Sequence, residues 1–182
     1  MSASIFDIPV QTLDGSDTSL ASFKGQVILV VNVASQCGLT PQYAGLQALY
    51  DRFHPRGLQV TGFPCNDFAG QEPGSASEIR DFCDTNFHVS FPLFAKVRIN
   101  SEPRHPLYAA LIAAQPQAMA SGDPLLRDTL SKHQLLPKGD TDVMWNFEKF
   151  LIDRHGIVVA RFAPDLAPDD ARLISAIEDA LG

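Results

Sequence analysis

Two kinds of apolar pattern alternate along the chain. QVILVVNVAS (26–35) is an unbroken, mostly β-branched run, the pattern of a strand buried on both faces in a parallel sheet. The period then changes: Tyr43, Leu46, Leu49, Tyr50 and Phe53 recur at helical spacing, with Thr40 placed to cap the helix, Pro41 suited to its first turn, and Pro55 and Gly57 to end it. GLQVTGFP (57–64) predicts a second strand, and SASEIRDFCDTNF (75–87) a second helix whose acidic first turn Ser75 or Ser77 would cap. Ahead of all these, short alternations about Asp14-Gly15 in SIFDIPVQTLDGSDTSLASFKGQ predict a small hairpin. After Phe91-Pro92, LFAKVRI predicts a short strand and HPLYAALIAA a third helix. FEKFLID and IVVARFA, flanking Arg154-His155-Gly156, predict an antiparallel hairpin, and DDARLISAIEDAL an amphipathic closing helix.

Parallel β-α-β first, antiparallel hairpin and helix last, is the thioredoxin-fold plan: an α/β fold with a central mixed sheet flanked by helices, here preceded by an N-terminal hairpin. No internal repeat or divisive linker interrupts it, so residues 1–182 are expected to form one domain. One segment stands outside the plan. Residues 115–143 are rich in Pro, Gly and Asp and only weakly helical around 125–130, and an insertion of that length is usually functional, interfacial or mobile.

Charge narrows the function classes. The formal balance of 14 basic against 21 acidic residues is −7, with no long block of either sign, which argues against a nucleic-acid footprint or an anionic-membrane anchor and favours small-molecule or protein partners. MSASIFDIPV lacks a basic region followed by an apolar core, and the apolar stretch VILVV is too short to span a bilayer, so a cytoplasmic protein is expected. Cysteines at 37, 65 and 83 form an odd set without metal-ligand spacing, as in a reducing compartment, where a disulfide would be transient and catalytic. The five histidines (54, 88, 105, 133, 155) are scattered, and neither metal nor cofactor is expected.

Cys37 lies just past the first central strand and ahead of a helix, where open α/β sheets place their reactive crevice. A free thiol with a pKa of about 8.5 is mostly protonated at neutral pH, and a helix N-terminus with nearby donors stabilises the reactive thiolate. Packing is the competing reading, since cysteine is among the most buried residue types. A local dithiol is excluded because the third residue on is Thr40, leaving no C-x-x-C.

GFPCNDFAGQEPG (62–74) leaves the second parallel strand at its carboxyl end and should emerge beside Cys37. Its Gln71 is either a solvated loop residue or a neutral amide that donates and accepts without adding a charge that would raise a thiol pKa. Cys65, beside Pro64, reads as packing. MWNFEKF (144–150) holds the only tryptophan; Trp145 offers an indole N–H and Asn146 an amide NH₂, neutral donors suited to a thiolate or a departing oxygen anion. A tryptophan also commonly fills a core or a lid. Cys37, Gln71, Trp145 and Asn146 would meet from three separate loops.

Taken in order, these stretches resemble the glutathione peroxidase family. VNVASQCGLTPQY is similar to the segment carrying its peroxidatic cysteine or selenocysteine, GFPCNDFAGQEPG to its glutamine loop, WNFEKFLIDRHG to its Trp-Asn segment and RFAPDLAP to its penultimate strand and turn, so the likeness covers nearly the whole chain. The resemblance implies a non-selenium, thiol-dependent peroxidase reducing hydrogen peroxide and organic or lipid hydroperoxides, with Cys37 as nucleophile and Gln71, Trp145 and Asn146 as its activating partners. Cys83, in EIRDFCDTNFHVSFP, sits where thioredoxin-dependent members keep a resolving cysteine; by pattern alone it packs beside Ile79 and Phe82. The implied cycle forms a Cys37 sulfenic acid, condenses it with Cys83 to a disulfide, and reduces that by exchange with thioredoxin. A disulfide needs Cα atoms within about 7 Å, so local unwinding around Cys83 is expected on oxidation. No cluster of Arg and Lys in the motif loops would clamp a glutathione carboxylate, which favours thioredoxin over glutathione as reductant. The 115–143 segment resembles an insertion of tetrameric members and of some bacterial peroxidases, leaving an oligomer open, and would narrow access for bulky lipid hydroperoxides. Two rival readings are a peroxide sensor that passes oxidation from Cys37 to a client thiol and, more weakly, a passive thioredoxin-fold binding module.

Overall fold

The computed structural model describes residues 4–182. Strands β1 (Pro9–Gln11) and β2 (Asp17–Ser19) form the N-terminal hairpin. They are followed by β3 (Val27–Val33), α1 (Gln42–Phe53), β4 (Leu58–Pro64), α2 (Ala76–Phe87), α3 (Pro106–Ala114), α4 (Leu125–Lys132), β5 (Lys149–Ile152), β6 (Val158–Phe162) and α5 (Ala171–Leu181). The main sheet has the order β4-β3-β5-β6. Every residue of β3 and β4 is buried, as unbroken apolar runs require, and the two strands are parallel. Val27 pairs with Leu58 and Val33 with Pro64, so both strands end level and their following loops start side by side. β5 runs antiparallel to β3, and β6 antiparallel to β5, which completes the thioredoxin-like plan.

α1 buries Tyr43, Leu46, Leu49 and Phe53 and ends in a 3₁₀ turn closed by Gly57 at φ +106°. A side chain at Gly57 would also come within 2.8 Å of the Arg154 guanidinium, which holds the carbonyls of Gly25, Arg56 and Leu181. α2 is capped by Ser75, whose hydroxyl accepts the Glu78 N–H, and it buries only Ile79 and Cys83.

LFAKVRI departs from the strand expected there. Only single bridges form, Leu93 to Gly62 and Phe94 to Thr12. Gly62 allows the close approach, since a Cβ there would meet Leu93 at 2.7 Å. Beyond Phe94 the backbone donors go to unrelated acceptors: Ala95 to Gln11 O, Val97 to Pro64 O, and Ile99, Asn100 and Ser101 to the Asp67 carboxylate. With its donors so divided, the segment has no one strand to ladder against.

The 115–143 insertion carries α4 where weak helicity was expected, and its two ends are gathered on one side chain. Arg161 on β6 donates to the carbonyls of Gln115 and Pro116 at the entry and of Thr141 and Asp142 at the exit, while pairing with Glu148 at 2.6 Å. Both members of that pair are buried. Further along, Met119 bridges to Phe162 beside β6, and Arg172 of α5 holds the carbonyls of Ala120 and Ser121.

Candidate active site

Cys37 lies in the loop between β3 and α1 and is only 7% exposed. Its N–H donates to Thr40 Oγ1 (3.0 Å), the Thr40 hydroxyl donates to Ala34 O (2.8 Å), and the Leu39 N–H points at Cys37 Sγ (3.3 Å). Thr40 therefore does not cap the helix as expected. Its oxygen is engaged within the loop, and α1 starts at Gln42 with Pro41 at the cap position and no side-chain cap bond. The sulfur receives a backbone donor instead.

The level ends of β3 and β4 bring the Gln71 loop to this place, and the Gln36 N–H donates to Gln71 O at 3.0 Å. Asn146 is fully buried, and its Nδ2 donates to Gln71 Oε1 at 2.9 Å. With its oxygen so engaged, Gln71 has its NH₂ end left to donate. Trp145, 6% exposed, leans on Phe68 with ring centres 5.6 Å apart. The turn carrying these two residues is held from beneath. Phe147 adopts φ +69°, unusual for a bulky residue; its N–H donates to Asn32 O at 2.7 Å, and Asn32 Nδ2 donates to Trp145 O at 3.2 Å. Lys149 Nζ donates to Phe147 O (2.7 Å) and Pro164 O (3.1 Å). Burial pushes this ammonium down to about 7, against the opposing pull of Glu148 and Asp165.

Cys37, Gln71 and Trp145 share one cleft of about 480 Å³. Its far wall comes from the insertion, through Leu125, Leu126, Leu130 and Leu135. Asp123, Asp165 and His133 also line it, and among the described residues no Lys or Arg does.

Cys83 is not in this cleft. It is 1% exposed on the inner side of α2. Burial pushes its thiol up to about 11, and the nearby Glu72 charge adds to it. Glu72 is also 1% exposed and accepts from Ser35 Oγ at 3.2 Å, while burial raises its pKa. Neighbours in sequence thus lie in different surroundings, Gln71 lining the cleft with Cys37 and Glu72 lying near Cys83. Cys65 is fully buried, accepts the Asp67 N–H at 3.4 Å and is pushed by burial up to about 12, in keeping with packing. Sequence reasoning missed Thr40 as the lock of the Cys37 loop and Lys149 as the support of the Trp145 turn. The only signal for Lys149 was its place beside Glu148 in the otherwise apolar FEKFLI.

Comparison with known proteins points the same way. A family model described as glutathione peroxidase matches residues 5–112. The thioredoxin/glutathione peroxidase BtuE of Escherichia coli (strain K12) is 46% identical over 181 residues, covering 100% of this chain and 99% of the relative. The hydroperoxy fatty acid reductase gpx1 of Synechocystis sp. (strain ATCC 27184 / PCC 6803 / Kazusa) is 49% identical over 166 residues, covering 91% of this chain and 90% of the relative. The crystal structure of T. cruzi GPX1 superposes with a TM-score of 0.72 at 32% identity, covering 99% of this chain and 97% of that one. With matched strand ends, the three expected loops meeting at one cysteine, and relatives aligned over nearly their whole length, the chain belongs to the glutathione peroxidase family.

Proposed function

We propose that the protein, acting as one domain, is a Cys37-dependent peroxidase that reduces hydrogen peroxide and organic hydroperoxides and is recycled through Cys83 by thioredoxin. The observation that carries this reading is the meeting of Cys37, Gln71 and Trp145 in one cleft, with Asn146 bonded to Gln71. The Cys37 thiolate attacks the terminal peroxide oxygen and the O–O bond breaks. Cys37 becomes a sulfenic acid, and the departing oxygen anion takes a proton to leave as water or an alcohol. The Gln71 NH₂ and the Trp145 indole N–H are neutral donors for both the thiolate and that anion, and Asn146 fixes which end of Gln71 faces the sulfur.

Cys83 then attacks the sulfenic sulfur; a disulfide forms, and the hydroxyl leaves as water with the Cys83 proton. From its buried place on α2, Cys83 must move to do so. That helix fully buries only Ile79 and Cys83, with Phe82 and Phe87 half-buried against the core, so its local opening costs less than that of α1, which buries four residues. A thioredoxin dithiol completes the cycle by exchange. Glutathione, with two carboxylates, is disfavoured by a cleft lined by Asp123 and Asp165. No described helix is long and apolar enough to cross a membrane, and the three free thiols suit a reducing, cytoplasmic setting.

The test is a coupled peroxidase assay, thioredoxin against glutathione, on wild type, Cys37→Ser and Cys83→Ser. Loss of all activity in Cys37→Ser, with loss of thioredoxin-supported turnover alone in Cys83→Ser, is the expected outcome. Full glutathione turnover without Cys83 would overturn the reductant, and activity without Cys37 the whole reading.

A further inference from the structure

The 115–143 insertion does more than cross the surface. Fastened by Arg161 at both ends, it sets α4 opposite Cys37, so that one wall of the cleft carries Cys37, Gln71 and Trp145 and the other carries leucines. Leu130 is buried and anchors α4, whereas Leu125 and Leu135 are 68% and 39% exposed. Large apolar side chains left in water beside a reactive thiol mark a surface that a ligand completes. The cleft volume of about 480 Å³ lies within the range of small-molecule sites, roughly 300–1,000 Å³. Hydrogen peroxide would leave nearly all of that space and all of those leucines unused.

We propose that the insertion builds a tail-binding subsite for uncharged hydroperoxides bearing an apolar chain of several carbons, with the peroxide group at Cys37 and the chain along Leu125, Leu126 and Leu135. Charge selects the class further. Asp123 and Asp165 line the cleft with no Lys or Arg among its described residues, so a carboxylate on the chain is repelled and an alkyl group accepted. The chemistry is that of the preceding section, the alkoxide leaving as an alcohol. This inference rests on the peroxidase reading and narrows it: the insertion, expected to obstruct bulky substrates, provides the wall that holds smaller apolar ones.

Trp145 is the only tryptophan and lines the cleft, so its fluorescence reports oxidation of reduced, full-length protein without any reductant. Second-order rate constants are to be measured by stopped flow for hydrogen peroxide, ethyl, butyl and hexyl hydroperoxide, and 6-hydroperoxyhexanoate. The constant should rise about two- to fourfold per buried methylene, the upper value matching full burial of the group. The carboxylate should react at least about fivefold slower than the hexyl compound. In the Leu125→Asp/Leu135→Asp variant the hexyl-to-hydrogen-peroxide ratio should fall at least about tenfold. Both positions are exposed, so the core is untouched; Thr129→Asp, exposed on α4 and lining the same cleft, is an independent second test. A flat chain-length series in wild type, or a ratio unchanged in both variants, overturns the subsite while leaving Cys37 a peroxidatic thiol. Absence of any Cys37-dependent signal with every peroxide overturns the subsite and the peroxidase reading together.

Discussion

Asn146 and Gln71, 75 positions apart in the chain, are joined side chain to side chain, Nδ2 donating to Oε1 at 2.9 Å. The bond leaves Gln71 its NH₂ end to donate within the cleft it shares with Cys37, and that makes Gln71→Glu an informative change. A carboxylate there keeps the acceptor for Asn146 but replaces the free NH₂ with a negative charge beside the sulfur. Peroxide oxidation of Cys37 near pH 7 should fall at least about tenfold, and the pH profile of Cys37 alkylation should move to higher pH. Superimposable profiles for wild type and variant between about pH 5 and 9 would refute this role.

What was legible in the sequence follows from which forces have a local signature. The sheet was readable because full burial of β3 and β4 demands unbroken apolar runs, and the meeting of the Cys37 and Gln71 loops follows once those strands end level. Thr40 was misread because a hydroxyl beside Pro41 has two uses, capping or tying the loop, and the choice depends on the Ala34 carbonyl being within 2.8 Å. LFAKVRI carries strand propensity, yet Gly62 and the Asp67 carboxylate divide its donors. The path of the insertion was hidden most deeply. Its course over Cys37 is set by carbonyls of four residues gathered on Arg161, and backbone acceptors leave no mark in sequence.

Arg161 is accordingly the residue on which the insertion depends. Arg161→Met would strand the buried Glu148 carboxylate and release four carbonyls, a loss of about 3–5 kcal/mol by comparison with other broken buried pairs. Urea unfolding measures the loss. Proteolysis adds a second reading, because cleavage should appear first within residues 115–143. A uniform loss of stability with no preferential nicking there would mean that Arg161 only packs the core.

The three thiols should separate cleanly. Cys83 and Cys65 are held up to about 11 and about 12 by burial, so at pH 8 neither should alkylate in the native reduced protein while Cys37 does. One equivalent of hydrogen peroxide should then protect Cys37 as a disulfide with Cys83, and amides of α2 around Cys83 should lose hydrogen-exchange protection. Peptide mass spectrometry reads both results. An oxidised protein with α2 fully protected and no Cys37–Cys83 peptide would rule out the resolving role.

Lys149 links the support of the Trp145 turn to pH. Its ammonium is buried and sits at about 7, against an unfolded value of 10.5. Between these values the unfolded chain holds the proton and the folded one does not, so unfolding takes up a proton and stability rises with pH. Below about pH 7 both states are charged and the residue adds no slope. Relative to Lys149→Met, which has no titrating group, wild type should gain at most about 1.4 kcal/mol per pH unit across that window. The neutral amine still has two N–H groups for Phe147 O and Pro164 O, so the turn keeps its anchor as the proton leaves. Urea denaturation of both proteins at pH 6, 8 and 9 provides the measurement, and parallel stability curves would show that Lys149 stays charged in the folded protein.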